Sequence, residues 1–540
     1  MRKMKLAAVA LAVVASAACS GAGKAQGKAF KAEWRRAGEL QIASLDSLGP
    51  QMNTLAAKAQ FPVLPMIVPQ FVSQSSMGEK FGEPRKDADW GMVLFYDGGE
   101  KIDMAWAWPL GEGGRAAWEK SHATMKPGKN GVYKFVRKLT DDEELAKKVL
   151  GKEEIVEYGA FSPDGKWAFV SESANAASLA AASKEAPFAK PLKKGMACFE
   201  IYDRRMFENA GAISDAMERE SEKMRSALEA ATGKKGKKDA EQFEILPEDF
   251  PGKDAKAFSG AVFRELSRLR VVVGVSKTGL DLRVKATPAA GGELAGFGGA
   301  LPKGGISFAG VPSYANVLFT GASARPSGRL GAAWDRAWRG AFKMLEAHYS
   351  KWCKKIPGAA ELVAFKDAVA FCAEGLGAFS ASPAKSKSAT FFMAENMKGK
   401  QGIEFAFDLE KGPVGFAKQA AAQKKDGVLN AVKTDTGKRF AVGCESAGFK
   451  HSSGKKLAAA FAAALPEAAA ADKPLFAARY GVLTPSAGGG MSMGFVWLFG
   501  WLDSSSAYHT IVRIPSKDIS KVVMVLMGAV SSDGAGAVGK

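Results

Sequence analysis

Ile102, Met104 and Trp106 alternate with Asp103 and Ala105, after an apolar run from Met92 to Tyr96 and the turn residues Asp97, Gly98 and Gly99. Period-two alternation beside a glycine turn predicts a β-hairpin, since successive strand side chains point to opposite faces. The pattern recurs where Phe391 to Met393 precede a turn near Gly399 and Ile403, Phe405 and Phe407 alternate with Glu404 and Ala406. A second signature also occurs twice. Gly165-Lys166 opens a strand, Trp167 to Val170, and Glu172-Ser173 leads into a small-residue helix containing Leu179, Ala180, Ala181 and Ala182. Gly437-Lys438 likewise opens Arg439 to Val442, and Glu445-Ser446 leads into a helix containing Leu457, Ala458, Ala459 and Ala460. A closing hairpin is expected in each half: Val271 to Val275 turning at Ser276, Lys277 and Gly279 into Leu280, Leu282 and Val284, and Ile511 to Ile514 turning at Ser516-Lys517 into Val522 to Leu526.

Helical spacing fills the remainder. Ala212 to Thr232 places Ile213, Met217, Met224 and Leu228 on one face, and Gly331 to Lys354 does so with Trp334, Trp338, Phe342 and Leu345. Aromatics three or four apart on a helix usually face a core rather than form a sugar-binding platform. The apolar dozen Met491 to Leu502 is too short to span a bilayer and reads as a buried element.

Hairpins interleaved with helices predict an α+β fold of two tandem, internally duplicated domains, each an antiparallel sheet with helices packed on one face. The expected boundaries are a signal peptide and flexible leader over 1–22, a first domain over 38–290 and a Gly-rich linker over 291–305. A second domain follows over 306–530 and a flexible tail over 531–540. A chain of 540 residues exceeds one ordinary core, which agrees with two domains.

The first residues carry a different message. Arg2, Lys3 and Lys5 precede the apolar run Leu6 to Val14, followed by Ala15, Ser16 and Ala17: the charged, apolar, small order of an export signal. Cys19, followed by Ser20, Gly21, Ala22 and Gly23, is a candidate lipidation site, although Ser16 stands where a lipoprotein signal usually has Leu. Plain cleavage and lipidation are both compatible with this segment. Either makes the mature chain extracytoplasmic, periplasmic or tethered to a membrane by acyl chains, with no transmembrane helix.

Formal charge is +19, and loss of Arg2, Lys3 and Lys5 leaves +16. A basic exported chain suits an anionic envelope surface or another envelope protein. Nucleic acid is not expected, because the lysines are dispersed and no finger or aromatic RNA-binding signature accompanies them. Beyond Cys19 the cysteines are Cys198, Cys353, Cys372 and Cys444. Cys353 and Cys372 flank a Pro357-Gly358 turn, so a disulfide between them and buried free thiols are both open readings.

Chemistry is hard to find in the pattern. His122, His348, His451 and His509 are far apart in sequence, so no local metal motif exists and no cofactor is expected. Ser-x-x-Lys occurs at Ser382, Ser452 and Ser453 without companion motifs, and no serine-nucleophile elbow is present. The string Phe161-Ser162-Pro163-Asp164-Gly165-Lys166-Trp167 resembles the blade motif of TolB-type β-propellers. It occurs once, whereas a propeller repeats it, so it reads as a Pro-Asp-Gly turn entering a strand. As an architecture, the export signal and tandem α+β halves resemble the duplicated exported bacterial proteins of unknown function, a resemblance that implies no site residues.

The reading that follows is an exported protein with a non-catalytic binding or scaffolding role in the cell envelope. The alternatives are an envelope hydrolase whose site assembles only in three dimensions, with His451 or His509 near a Ser or an acid, and a lipid or apolar-ligand carrier with a pocket between a sheet and its covering helix.

Overall fold

A computed structural model describes residues 34–60, 75–128, 131–139, 153–183, 195–213, 252–299, 306–322, 328–355, 386–395, 401–409, 431–435, 439–444, 452–471, 473–485 and 491–522, with scattered positions between them. The chain divides into two compact units, Met1–Glu244 with Leu266–Val275, and Ile245–Glu265 with Ser276–Lys540.

In the first unit the strands are β1 (Arg35–Ile42), β2 (Trp90–Tyr96), β3 (Ile102–Pro109), β4 (Tyr133–Lys138), β5 (Glu154–Phe161), β6 (Trp167–Ser171), β7 (Ala197–Ile201) and β8 (Leu266–Val275). They pair antiparallel in the spatial order β4-β5-β6-β3-β2-β1-β7-β8. The expected hairpin is β2–β3, with Val93 opposite Ala105. Its turn is closed by Asp97, whose carboxylate accepts the N–H of Gly99 at 2.8 Å.

The helices on this sheet include α1 (Leu45–Ala59), α2 (Ser76–Phe81), α3 (Gly114–Ser121) and α4 (Ala174–Ala182). Ser44, Ser75 and Ser173 cap α1, α2 and α4 by accepting a first-turn N–H, the role short hydroxyl side chains play at helix starts. The helices do not keep to one face. Ala176 and Ala180 of α4 pack on Val93, Phe95, Ala105, Ala107 and Phe169. Met77 and Phe81 of α2 and Trp118 of α3 pack on Trp90, Trp108, Ala168 and Val170, which point the other way because they alternate with the first set. β2 is accordingly buried along its whole length. A strand covered on both sides reads as a continuous apolar run, and Trp-Gly-Met-Val-Leu-Phe-Tyr is one.

The second unit carries β9 (Gly279–Pro288), β10 (Val317–Ala322), β11 (Ser386–Glu395), β12 (Gln401–Leu409), β13 (Ala431–Asp435), β14 (Arg439–Cys444), β15 (Lys473–Pro485), β16 (Met491–Leu502) and β17 (Tyr508–Pro515). Their antiparallel order is β13-β14-β12-β11-β10-β15-β16-β17-β9. Helices α5 (Lys253–Arg264) and α6 (Gly328–Lys355) meet through Phe258 and Trp334, ring centroids 5.1 Å apart. Trp334 is thus a packing residue; the side chains of Trp338, Phe342 and Leu345 lie outside the described residues. Helix α7 (Lys455–Ala464) sets Phe461 against Trp497 and Phe499 of β16. The apolar dozen is therefore a strand whose alternate side chains enter the core.

The closing hairpins come out differently: β8 pairs with β7, and β9 with β17. Val522, expected to open a strand, is helical, and β17 pairs instead with β16 and β9. Residues 293–299, within the glycine-rich stretch, form short helical turns, and Glu293 receives the N–H groups of Arg329 and Leu330 at 3.0 and 2.8 Å. That carboxylate caps α6 from a distance in sequence, with its pKa lowered by those two N–H bonds. The helix expected over 212–232 lies mostly outside the described residues.

At the far edge of this sheet is a buried ion pair. Arg513, 1% exposed, donates through Nη2 to Asp281 at 2.7 Å and to Glu467 at 2.9 Å, and through Nη1 to the carbonyl of Ala464 at 2.9 Å. Burial works against the Arg513 charge, but its hydrogen bonds to the two carboxylates outweigh it and raise the guanidinium pKa.

Candidate functional site

A cleft of about 740 Å3 lies in the first unit between the loop that follows β3, the β5–β6 turn and Arg85. The turn is the Ser-Pro-Asp-Gly string. Ser162 Oγ accepts the N–H of Trp167 at 3.0 Å, and Asp164 accepts that of Lys166 at 3.1 Å. Gly165 takes φ +67°, a left-handed conformation that favours glycine. The string is thus one hairpin of an antiparallel sheet.

The opposite wall is Leu110-Gly111-Glu112-Gly113-Gly114-Arg115, running from β3 into α3. Leu110 N–H donates to Lys166 O at 2.9 Å and Arg115 N–H to Gly165 O at 2.9 Å, which locks the two walls together. The contact needs glycine at 114: φ is +53°, and an added Cβ would lie 2.6 Å from the Gly165 carbonyl oxygen. Trp118, one turn into α3, anchors the helix by burying its ring against Tyr133 and Phe161 and donating from Nε1 to Lys80 O at 2.7 Å.

Charged groups of both signs rim this frame. Arg115 donates to Glu119 at 2.7 Å and lies over the Phe161 ring, 5.5 Å from its centroid. Arg85 donates to Asp87 at 2.8 Å, and Lys166 and Glu112 complete the rim. The Arg115 hydrogen bond, then that from Tyr133, lowers the Glu119 pKa. For Asp164, burial pushes the pKa up, but the Ser162 hydroxyl and the Lys166 N–H outweigh it and the net shift is downward. Two first-turn N–H groups of α3 are already bonded, Gly114 to Gly111 O and Arg115 to Gly165 O. The glycine loop is therefore not an anion cradle of the backbone type, and recognition here falls to side chains.

The second unit brings His509 to an acid. Its Nε2 lies 2.8 Å from Asp503 Oδ2 and its ring stacks on Trp501 at 4.9 Å. Ser505 Oγ donates at 2.6 Å to Asp503 Oδ1, the other carboxylate oxygen, which also accepts the N–H groups of Ser505 and Ala507. Carboxylate, imidazole and hydroxyl so form the staple of the β16–β17 turn instead of a relay running from carboxylate through imidazole to hydroxyl.

The other sequence candidates are dispersed. His122 stacks on Trp118 at 4.5 Å, with Nδ1 3.0 Å from the Trp118 carbonyl. Ser452 donates to Val311 O and accepts from Gly454 N–H, a turn-closing role. Cys198 is a buried free thiol whose pKa burial raises to about 11. The side chains of His348, His451 and Cys353, and the residues Cys19 and Cys372, lie outside the described residues. Among the described residues, no three His, Cys, Asp or Glu side chains converge as a metal site, and no helix is long and apolar enough to cross a membrane.

No family model, curated protein sequence or solved structure matches the chain.

Sequence reasoning missed the cleft. Its signal was the run Gly-Glu-Gly-Gly-Arg between a strand ending in proline and a helix anchored by tryptophan.

Proposed function

We propose that this chain is an exported, non-catalytic binding protein that holds an anionic component of the cell envelope in the cleft beside α3. The observation that carries the reading is a preformed cleft of about 740 Å3 whose walls are joined by backbone hydrogen bonds and whose rim presents Arg85, Arg115 and Lys166. Ser162, Asp164 and Glu119 are engaged in holding the turn and the helix, which suits a site built for docking. The net charge of +16 that remains after loss of Arg2, Lys3 and Lys5 adds long-range attraction for an acidic partner. The leader over 1–22 supports export, and a lipidated Cys19 would tether the units to a membrane surface.

The proposal includes an internal duplication. Supporting it, the order β5-β6-β3-β2-β1-β7-β8 in the first unit has a counterpart in β13-β14-β12-β11-β10-β15-β16, strand for strand in chain order. Helix α4 lies between β6 and β7, and α7 lies between β14 and β15.

The test is capture on isolated envelope fractions at low and high salt, comparing the wild type with an Arg85→Ala/Arg115→Ala/Lys166→Ala variant. Salt-sensitive capture that falls at least tenfold in the variant is expected, because exposed charge attraction is screened by salt. Equal capture of both proteins would overturn the cleft as the docking site.

A further inference from the structure

The cleft beside α3 offers a ligand groups of two kinds. Arg85 is held through Nε by Asp87 at 2.8 Å, and Arg115 through Nε by Glu119 at 2.7 Å. Among the described residues neither guanidinium sends a hydrogen bond to a carboxylate from its Nη1–Nη2 edge. That edge carries parallel N–H groups that match two oxygens of one carboxylate or phosphate. The Phe161 ring lies against the Arg115 guanidinium, 5.5 Å from centroid to Cζ, and helps to fix it before a ligand arrives. Lys166 adds a third cation, whose ammonium makes no ion pair among the described residues.

Glu112 does not suit a site for bare anions. Its exposed carboxylate lines the same cleft and makes no hydrogen bond or ion pair among the described residues, whereas Glu119 and Asp164 are engaged. An ionised carboxylate only accepts hydrogen bonds. It repels a bare polyanion, and it is answered by a ligand that brings hydroxyl donors along with its negative charges. Gly111, Gly113 and Gly114 leave this stretch of wall without side chains, so a ring-sized group can approach Glu112. The space, about 740 Å3, exceeds what a single carboxylate or phosphate fills and lies within the roughly 300–1,000 Å3 usual for ligand clefts.

We infer that the anionic component held here is an acidic saccharide, with carboxylate or phosphate groups on Arg85 and Arg115 and a ring hydroxyl donated to Glu112, a reading that rests on the cleft being the docking site. Glu112 then selects sugar acids over polyanions that lack donors.

Calorimetric titration of the full chain with oligogalacturonate, a phosphorylated oligomannoside and inorganic polyphosphate, at one ionic strength, tests this. Glu112→Ala changes an exposed loop position, and a thermal melt checks that it folds. It should weaken binding of at least one saccharide about tenfold, as loss of a hydrogen bond to a charged group does, and tighten binding of polyphosphate, from which a repelling charge has gone. The saccharide that responds identifies the anionic group. Arg85→Ala/Arg115→Ala/Lys166→Ala should lose saccharide binding at least tenfold. Saccharide binding by that triple variant equal to wild type, or a wild type that binds none of the three ligands, would overturn the cleft itself. A triple variant that loses binding beside a Glu112→Ala protein that holds both saccharides as tightly as wild type, or more tightly, would overturn the saccharide alone. So would a wild type that binds polyphosphate and neither saccharide.

Discussion

Single side chains decide how the sheet edges are held. Arg513 and Asp281 are both almost fully buried, and each is the other's main compensation for lost water. Removing Asp281 leaves Arg513 with the partly exposed Glu467 as its one carboxylate among the described residues, a loss of up to the roughly 3–5 kcal/mol that an unbalanced buried charge costs. Asp281→Ala is therefore expected to lower the urea midpoint strongly, and Asp281→Leu/Arg513→Met to recover most of that loss; an Asp281→Ala protein as stable as wild type would contradict it. Asp503 is a different case, because it is partly exposed. Burial pushes its pKa up, yet hydrogen bonds from Ser505, His509 and the Ala507 N–H hold the carboxyl well below the usual carboxylate range. A depressed folded-state pKa gives stability that is present above the unfolded value, near 3.9, and lost as pH falls through the folded one. The stability gap between wild type and Asp503→Asn should narrow between pH 5 and pH 2.5. Urea titrations at the two pH values check this, and a constant gap would refute it.

At the scale of elements, legibility followed the length and regularity of the pattern. The β2–β3 and β11–β12 hairpins and the alanine helices α4 and α7 were readable because period-two alternation and small-residue runs are local signals. Helices on both faces of the first sheet were not, although the unbroken apolar run of β2 carried the hint. Strand β9 was readable as a strand but not its partner, since pairing with β17 joins residues more than two hundred positions apart. The cleft escaped for a related reason: its walls come from separate segments, and the glycine that joins them matters only where α3 meets the β5–β6 turn. Gly114→Ala should therefore weaken this junction, by about 1–2 kcal/mol from the left-handed backbone and more from the clash with Gly165. Thermal melts would show the loss, and envelope capture would fall in parallel. A variant that melts like wild type would mean that the junction is not under strain.

For the whole molecule, the two units are threaded rather than strung in series. Residues 245–265 belong to the second unit, 266–275 return to the first, and the chain then re-enters the second at Ser276. A fragment that starts after the glycine-rich stretch, at residue 306, lacks β9 and α5, leaving β17 with an open edge and Trp334 without Phe258. Open strand edges and bare apolar faces favour aggregation. Fragment 245–522 is expected to remain more soluble and more cooperative in melting than 306–522, measured by size-exclusion chromatography and circular dichroism. Equal behaviour of the two fragments would show that β9 and α5 are dispensable.

That threading also sets a timetable. Synthesis delivers the amino terminus first, at roughly 5–20 residues per second. When β8 emerges and the first sheet gains its last strand, α5 is already made, and the end of its partner α6 arrives roughly eighty residues later. For several seconds the nascent chain holds all the strands of the first sheet and, immediately before the last of them, a helix whose mate has not yet been made. A chaperone that grips Lys253–Arg264 during that interval would act as a placeholder for α6.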